Sequence, residues 1–465
     1  MGILASFMVP HPPLIVPDVG RGGEEKVRET INAYEAVARE IAELAPETII
    51  ITSPHTTMYR DYFHISPGVG AEGNFGDFGA PRVKFDEVYD HELVNQISAM
   101  AFEDDFPAGF EGERKKLLDH GTMVPLYFIR KYYSEGDIIR IGLSGLSLAE
   151  HYQLGIYIKE AVEALNRRAV FVASGDLSHK LQDYGPYGFA PEGPVYDQRI
   201  MDVAGRAAFG EMLDFDDDFC DRAAECGHRS FVIMAGALDG VAVDAHVFSH
   251  QDVTGVGYGI CSFYPKGADP DRCFLKQRLK GLEEERAKSD GYVQLARASM
   301  ESYIRNRKRL RVPKDIPDEL RSVLPEEMFR KQAGAFVSIH KHGELRGCIG
   351  TIGPTTDCIA EEIVNNAISA STRDPRFPAI TEDELKWLEV NVDILGEPED
   401  IDSKEQLDVK RYGVIVSCGG RRGLLLPDLE GVDDVDTQVS IALRKGGIDP
   451  DEDYQMQRFE VIRHT

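Results

Sequence analysis

Two histidines follow apolar runs in the first part of the chain, at positions typical of metal ligands. His11 comes after the run of residues 3–9, and His55 comes after the run of residues 48–52. Such runs are typical of buried parallel strands, and open α/β sheets bind their ligands at the carboxyl ends of the strands. Prolines on both sides of His11 restrict its backbone, although a histidine in a turn can also simply be hydrogen-bonded there.

A carboxylate is available to complete a metal site. Glu225 lies further along the chain, and two imidazoles with one carboxylate form the facial triad that holds Fe(II) and leaves coordination positions open. We therefore predict an Fe(II) site, or a site for another divalent metal, made by His11, His55 and Glu225. The alternative for Glu225 is a solvated position on a helix.

Two further histidines have the positions of catalytic groups. His179 ends the small-residue segment 174–179, which follows another strand-like run, and an imidazole there can transfer protons near neutral pH. Alternatively, Asp176 and Ser178 only cap the next segment. His120 precedes an apolar helix, where Asp119 would be an N-terminal cap, and its chemical role is the weaker prediction.

Composition limits the classes of function. A chain of 465 residues predicts two or three domains. The net charge of −27 argues against nucleic acid and anionic membranes as partners. Seven cysteines without a CxxC pair form neither a disulfide framework nor a thiolate zinc site, which favours a reducing cytoplasm. We expect no membrane-spanning helix and no export signal.

Strand-like and helix-like segments alternate up to about residue 265, which predicts an α/β domain. A helical pattern at 24–44 lies between the first two strands, and two late strands at 241–249 and 256–264 are close enough to form a hairpin, so a mixed sheet is expected. Further strands are predicted at 138–143 and 169–173, and helices at 148–166 and 195–208.

The composition of the sequence changes after Tyr264. We predict a metal-binding domain at 1–265, a turn-rich and charged linker at 266–289, and a smaller α+β domain at 290–465. Short strands are expected in the last domain, around 335–350, 388–395 and 413–426.

The first domain resembles the catalytic subunit of class III extradiol ring-cleavage dioxygenases, which are LigB-like, and the related Memo-like proteins. The resemblance rests on the order and strand-end positions of the four histidines and Glu225. It implies an αβα sandwich and a catechol-like small-molecule substrate. It also implies that His11, His55 and Glu225 bind Fe(II), that His179 is the acid–base catalyst, and that His120 lies near the substrate.

The third metal ligand has an alternative. Residues 224–230 read AECGHRS, and Memo-like proteins resemble this segment with a cysteine before the glycine where the dioxygenases use glutamate. Cys226 is therefore the alternative ligand to Glu225. A carboxylate suits Fe(II), whereas a thiolate suits softer ions or Cu(I). From the sequence we favour Glu225 and keep a buried, apolar Cys226 as the other interpretation.

The second domain resembles the AmmeMemoRadiSam system protein A family. The motifs that carry this resemblance are LRGCIG at 345–350, STRDPRFP at 371–378 and GLLLP at 423–427. The family name records an association with a Memo-like protein and a radical S-adenosylmethionine enzyme, which implies a radical S-adenosylmethionine protein as a partner. The resemblance implies no activity.

Four residues of these motifs could do chemistry. Arg346 next to Cys348 could lower the pKa of that thiol, and Arg373 with Arg376 could bind a carboxylate or phosphate. The alternatives are a packed Cys348 and an internal ion pair around Asp374. We expect this domain to make no second metal site but to complete or gate the first.

Three classes of function remain open. The first is an Fe(II) enzyme of the extradiol type, and the second is an O2-independent metal-dependent redox or hydrolytic enzyme. The third is a non-catalytic partner of a radical S-adenosylmethionine protein. In each case we expect a homo-oligomer.

Overall fold

The computed structural model describes residues 2–114, 116–341, 343–429 and 431–465. The chain divides into two compact units, one up to Gln277 and one from Arg278 to Thr465. In the described part of the chain, no helix is long and apolar enough to cross a membrane.

Among its described residues, the first unit contains ten strands and eight α-helices, and a ninth α-helix begins in it and ends beyond Gln277. The strands are β1 (Ile3–Val9), β2 (Thr48–Ser53), β3 (Phe63–His64), β4 (Gly70–Phe75), β5 (Ala80–Val88), β6 (Ala108–Gly109), β7 (Asp137–Gly142), β8 (Ala169–Ser174), β9 (Val241–Gln251) and β10 (Tyr258–Ala268). The helices are α1 (Pro17–Gly20), α2 (Arg28–Leu44), α3 (His91–Glu103), α4 (His120–Tyr132), α5 (Leu148–Ala164), α6 (Glu192–Gly205), α7 (Asp217–Ala223), α8 (His228–Gly236) and α9 (Phe274–Lys288).

The central sheet of this unit is mixed. Its six strands follow the order β7-β2-β8-β1-β10-β9. The first four are parallel, and β10 and β9 run antiparallel to their neighbours. Parallel strands bring their carboxyl ends to one edge, so the segments after β1, β2 and β8 all leave the sheet at the same edge.

Helices cover both faces of this sheet. Ala5, Phe7 and Val9 of β1 share a buried cluster with α2 and α4. Because successive side chains of a strand point to opposite faces, Met8 faces the other layer, where α5 and α8 contact the parallel strands. The predicted αβα sandwich around a mixed sheet is therefore confirmed.

The second unit is built on an antiparallel sheet. Its strands are β11 (Ala335–Lys341), β12 (Glu344–Gly350), β13 (Leu388–Leu395), β14 (Glu399–Ile401), β15 (Tyr412–Cys418), β16 (Arg421–Leu425) and β17 (Gln455–His464), and its helices are α10 (Gly291–Asn306), α11 (Asp318–Val323), α12 (Ile359–Thr372) and α13 (Val435–Gly446). The strand order is β12-β11-β13-β17-β15-β16, with β14 also paired to β17. Helix α12 packs on β11 and β12, and α13 packs on β15 and β16.

Several segments differ in detail from the sequence predictions. The segment expected as one helix from residue 24 begins with a 3-10 turn at Gly23–Val27 and becomes α-helical at Arg28. The hairpin of β4 and β5 was not predicted. The range 266–289, expected to be a linker, contains the end of β10 and the whole of α9.

Candidate metal centre

His11 and His55 meet at the carboxyl edge of the central sheet. His11 lies two residues beyond β1 and His55 two residues beyond β2, and their Nε2 atoms are 3.0 Å apart. Helix α4 begins beside them because Gly121 has no side chain: a Cβ there would lie 2.3 Å from Ser53 Oγ. The structure therefore brings together the two histidines that the sequence paired.

Hydrogen bonds fix the orientation of His11. Ser174 Oγ donates its single proton to the Gly121 carbonyl at 2.6 Å. The same oxygen lies 2.9 Å from His11 Nδ1, so it must accept the proton of Nδ1. Neutral His11 then presents the lone pair of Nε2 to His55 and Cys226, as a metal ligand must.

Cys226 is the third donor atom beside the two imidazoles. Its Sγ lies 3.6 Å from His11 Nε2, and the donor atoms of His11, His55 and Cys226 all lie within 4.8 Å of one another. The close approach of two backbones places it there, because a Cβ on Gly175 would lie only 2.0 Å from Gly227 Cα. The backbone N–H of Asp176 also donates to the sulfur at 3.3 Å.

The Glu225 carboxylate is hydrogen-bonded at the start of α8 and is not grouped with the two imidazoles. Its Oε2 accepts the backbone N–H of His228 at 2.6 Å, which places the carboxylate at the start of α8. Burial raises the pKa of Glu225 to about 7. Among the described residues, no metal-binding group contains Glu225. The geometry thus favours Cys226, the alternative ligand, over Glu225.

The distances suit a bound metal. Two nitrogens held 2.0–2.1 Å from one ion at angles of about 90–110° are separated by about 2.8–3.4 Å, and a nitrogen and a thiolate sulfur by about 3.1–3.6 Å. The observed separations are 3.0 Å for the two Nε2 atoms and 3.6 Å for Nε2 and Sγ. Both separations lie within the ranges expected for ligands of one ion.

The electrostatics of the site keep the imidazoles neutral. Burial, followed by the neighbouring His55, lowers the pKa of His11 well below its usual value. Burial also lowers the pKa of His55. Neutral imidazole is the form that binds metal. Burial and the nearby Asp176 raise the pKa of the Cys226 thiol, so that a bound metal, rather than the protein, must drive its deprotonation.

His120 lies against the pair without joining the donor set. It is the first residue of α4, and its ring centroid is 4.0 Å from that of His55. Asp119 caps the helix by accepting the Thr122 N–H at 3.0 Å, which is the capping role considered from the sequence. Burial lowers the pKa of His120 to about 4, so this imidazole is neutral near pH 7.

His179 lies close to Cys226. Its Nδ1 hydrogen-bonds to the Ala224 carbonyl, and its Nε2 lies 3.9 Å from Asp176 Oδ2. Burial raises the pKa of Asp176 to about 6. The other carboxylate oxygen, Asp176 Oδ1, accepts the backbone N–H of His11 at 2.8 Å. Asp176 therefore links the proton-transfer candidate to the metal-ligand candidate.

The sequence analysis did not identify several residues that surround the candidate metal centre. It treated Asp176 as a cap and did not single out Ser174, Phe78 or Tyr187. The Phe78 ring lies 5.4 Å from the His120 ring, and the Tyr187 ring lies 5.1 Å from the His179 ring. Its position at the end of β8 was a usable signal for Ser174, whereas Phe78 comes from the segment between β4 and β5 and Tyr187 from the loop after β8.

Comparison with known families agrees with this geometry. Residues 5–261 match the family model described as the catalytic LigB subunit of aromatic ring-opening dioxygenase. The chain belongs to the LigB family. Residues 293–464 of this LigB-family protein match the AMMECR1 family model. Both resemblances inferred from the sequence are confirmed, and the protein is a LigB domain fused to an AMMECR1 domain.

The fusion is shared with a full-length relative. Protein CA_C1420 of Clostridium acetobutylicum is 42% identical over 100% of this chain and 99% of its own length. A protein of Thermotoga maritima is 50% identical but covers 37% of this chain and 96% of its own length. The crystal structure of the uncharacterized protein PH0010 from Pyrococcus horikoshii is 30% identical, covers 38% of this chain and 89% of its own, and has a TM-score of 0.33.

In the AMMECR1 domain of the LigB-family protein, the predicted arginines differ in their contacts. Arg346 pairs with Glu384, with Nε 2.9 Å from Oε1. Arg376 pairs with Asp374, with its terminal nitrogen 2.8 Å from Oδ2, which is the internal ion pair considered as the alternative. Arg373 ends α12 and is exposed.

Cys348 lies on β12 within the same cluster. Its sulfur accepts a hydrogen bond from Ser338 Oγ at 3.3 Å, and its backbone N–H donates to Asp374 at 2.9 Å. Arg376 also donates to the Cys348 carbonyl at 3.1 Å. The structure thus places Cys348, Asp374 and Arg376 together. Among the described residues of this domain, no group of three or more metal-binding side chains lies close enough to hold an ion.

Proposed function

We propose that the LigB domain is a metal-dependent enzyme acting on a small molecule, with the metal held by His11, His55 and Cys226. The observation that carries the proposal is the convergence of these three donor atoms within 4.8 Å at the carboxyl edge of the sheet. The edge is where α/β folds bind their ligands. The membership in the LigB family supports an enzymatic role.

The donor set favours a softer ion than Fe(II). Two imidazoles and a thiolate suit zinc or copper, whereas the facial triad of Fe(II) enzymes uses a carboxylate. When bound, such an ion would polarise a substrate oxygen or lower the pKa of water. An O2-independent redox or hydrolytic reaction is therefore the first candidate.

Within this proposal, His179 and Asp176 handle protons. His179 lies beyond β8 and is not one of the three proposed ligands His11, His55 and Cys226. Its Nε2 points toward Asp176 Oδ2. Asp176 would receive or hold a proton near neutral pH, because burial raises its pKa to about 6. His120, which is neutral, would line the substrate side next to His55.

Extradiol ring cleavage of a catechol-like molecule with Fe(II) is the second candidate. The family match to the catalytic subunit of aromatic ring-opening dioxygenase favours it. It requires iron to bind beside a cysteine that softer ions prefer. Consumption of O2 with a catechol, and loss of that consumption on removal of iron, would establish this reaction instead.

One experiment tests the metal site directly. Protein purified without oxygen is analysed for metal content, stripped with a chelator, and titrated with Zn2+, Cu+ and Fe2+. We expect stoichiometric binding with an affinity for Zn2+ and Cu+ above that for Fe2+. His55→Gln should remove the ion, and His246→Gln, at an exposed position of β9, serves as the matched control. A wild-type protein that binds none of the three ions would refute the proposal.

The remaining expectations on partners stay predictions. A radical S-adenosylmethionine protein is proposed to engage the AMMECR1 domain, and a small molecule to bind the LigB domain. Cytoplasmic localisation and a homo-oligomer are likewise proposed. Copurification of a radical S-adenosylmethionine protein with the tagged full chain, and its loss in Arg373→Ala, would test the first of these.

A further inference from the structure

A second set of donor atoms shares Cys226 with the first. Asp176, His179 and Cys226 each offer one ligand atom, and these atoms also lie within 4.8 Å of one another. His11 and His55 belong to the first set, and Asp176 and His179 to the second. The sulfur of Cys226 is therefore common to both sets of donors.

The hydrogen bond of His179 leaves a lone pair on the atom that faces this set. A carbonyl oxygen can only accept, so the contact between Nδ1 and the Ala224 carbonyl requires the proton to be on Nδ1. Neutral His179 then carries no proton on Nε2. The free lone pair of Nε2 points toward Asp176 Oδ2.

The Asp176 carboxylate is buried and has one oxygen free to bind a cation. Its side chain is 8% exposed. Oδ1 accepts the backbone N–H of His11 at 2.8 Å, whereas Oδ2 accepts no hydrogen bond from a described residue. Oδ2 is not among the buried side-chain atoms that lack a partner, so it remains accessible to a cation that enters the site.

The distance between these two atoms distinguishes an ion from a direct hydrogen bond. Asp176 Oδ2 and His179 Nε2 are 3.9 Å apart, which exceeds the roughly 2.7–3.2 Å of a hydrogen bond. Two ligand atoms at 2.0–2.2 Å from one ion are separated by about 2.8–3.6 Å at angles of about 90–110°, so these two atoms would approach each other by about 0.3 Å or more when they share an ion. The gap between two acceptors is thus wide enough for a metal ion and too wide for a shared proton.

We propose that Asp176, His179 and Cys226 form a second metal site, whose ion shares the Cys226 sulfur with the ion held by His11 and His55. A carboxylate, an imidazole and a thiolate are the donor types that zinc binds. The inference rests on the proposed function for the first ion. His179 acts as a proton carrier only while the second site is empty, so the number of bound ions selects between two states of the enzyme.

Metal stoichiometry tests this proposal in the full chain. Chelator-stripped protein is titrated with Zn2+, and bound zinc is counted after removal of free metal. We expect two equivalents for the wild type and one for both Asp176→Asn and His179→Gln. Asp176→Asn keeps an oxygen to accept the His11 N–H. His120→Gln is the matched control, because His120 lies beside the centre but belongs to neither donor set, and it should retain two.

Substitution of cobalt provides a second measurement. Thiolate-to-Co2+ charge-transfer absorption should rise over two equivalents in the wild type and over one in Asp176→Asn. A single equivalent in the wild type, or two equivalents in both variants, would overturn the second site. His55→Gln separates this result from the first proposal: retention of two ions in that variant contradicts the first site, whereas the second is judged by the Asp176 and His179 variants.

Discussion

At the level of single residues, Cys226 determines the character of the proposed metal centre. Its sulfur lies 3.6 Å from His11 Nε2 and receives the Asp176 backbone N–H at 3.3 Å. Glu225, one position earlier, instead accepts the first backbone N–H of α8. Ala224 has a left-handed backbone with φ of 53°, so the chain reverses immediately before these residues. Glu225 and Cys226 are adjacent in sequence but therefore have different roles.

Single substitutions of Cys226 and Glu225 should have opposite effects on metal binding. Cys226→Ser removes a direct ligand, so the affinity for Zn2+ should fall by more than the about 10–100-fold typical of losing an outer-shell partner. Glu225→Gln keeps an oxygen for the His228 N–H, so its zinc content should equal that of the wild type. Competition titration with a chromophoric chelator measures both. Loss of metal from Glu225→Gln with retention in Cys226→Ser would restore the carboxylate ligand.

His179 should affect turnover without removing the first metal ion. His179→Gln retains His11, His55 and Cys226, so at one equivalent of metal the ion should stay bound. A positioned acid–base group contributes typically about 10²–10⁴-fold to rate, and kcat of the reaction identified for this enzyme should fall by at least 10²-fold. Release of the first equivalent from this variant would show that His179 is an essential ligand of that ion.

At the level of elements, the site depends on a backbone contact between two loops. Gly175 follows β8 and Gly227 precedes α8, and a Cβ on Gly175 would lie 2.0 Å from Gly227 Cα. Because Gly227 Cα is a backbone atom and not the end of a flexible side chain, one of the two loops must move if residue 175 carries a Cβ. The loop after β8 carries Asp176 and His179, and the loop before α8 carries Cys226.

Gly175→Ala should therefore separate the donor atoms. Overpacking of this kind costs about 1–3 kcal/mol, and we expect Zn2+ affinity to fall about 10-fold or more together with a lower melting temperature. Gly23→Ala is the matched control, because a Cβ there meets no atom within 4 Å. Equal zinc affinities in the two variants would show that the loops adjust without disturbing the site.

A buried histidine on α5 gives the LigB domain a pH-dependent stability. His151 is fully buried, its Nδ1–H donates to the Ser147 carbonyl at 2.9 Å, and burial lowers its pKa to about 3. The folded state binds this proton less readily than the unfolded state, whose pKa is about 6.5. Stability is thus retained above about pH 6.5 and falls between there and about pH 3, by up to about 1.4 kcal/mol per pH unit.

Removal of the imidazole should flatten this dependence. The free energy of unfolding of His151→Gln should be lower than that of the wild type at pH 7 but should fall less steeply from pH 6 to pH 4. Urea denaturation at several pH values measures the slope. Parallel curves for the two proteins would mean that other groups account for the acid sensitivity.

The elements that position the site were largely predictable, because their signals are local. The runs that end before His11 and His55 are continuous and apolar, and β1 and β2 occupy the predicted positions. The β4–β5 hairpin was missed because its first strand reads GAEGNF, with two glycines and an asparagine that disfavour strands. Pairing with β5, rather than intrinsic preference, holds that strand in place.

The choice of third ligand could not be predicted from the pattern. Glu225 and Cys226 are adjacent in a turn, where no helical or strand period states which side chain points inward. The close contact of Gly175 and Gly227 joins segments about fifty residues apart and fixes the direction of Cys226. The ion pair of Arg376 with Asp374 was one of the interpretations left open by the sequence, whereas the hydrogen bond from the Cys348 backbone N–H to Asp374 joins two motifs and became evident only in the fold.

At the level of the whole molecule, all donors proposed for metal binding lie in the first unit. They fall between His11 and Cys226, and the unit extends to Gln277. Its last segment is packed rather than loose: Leu275 is buried, and the Phe274 backbone N–H donates to Asp239 Oδ1 at 3.0 Å. The end of the family match at residue 261 therefore does not mark the end of the folded unit.

A chain ending at residue 277 should fold and hold metal without the AMMECR1 domain, and it should be more stable than a chain ending at residue 268. The shorter chain loses Phe274 and Leu275, whose burial contributes about 3 kcal/mol in total, which corresponds to roughly 5–10 °C in melting temperature for a domain of this size. Calorimetry and zinc content of both chains measure this. The 277-residue chain also tests the role of the fusion. Weaker substrate or partner binding than in the full chain would support a completing or gating role for the AMMECR1 domain. Identical binding would contradict that role.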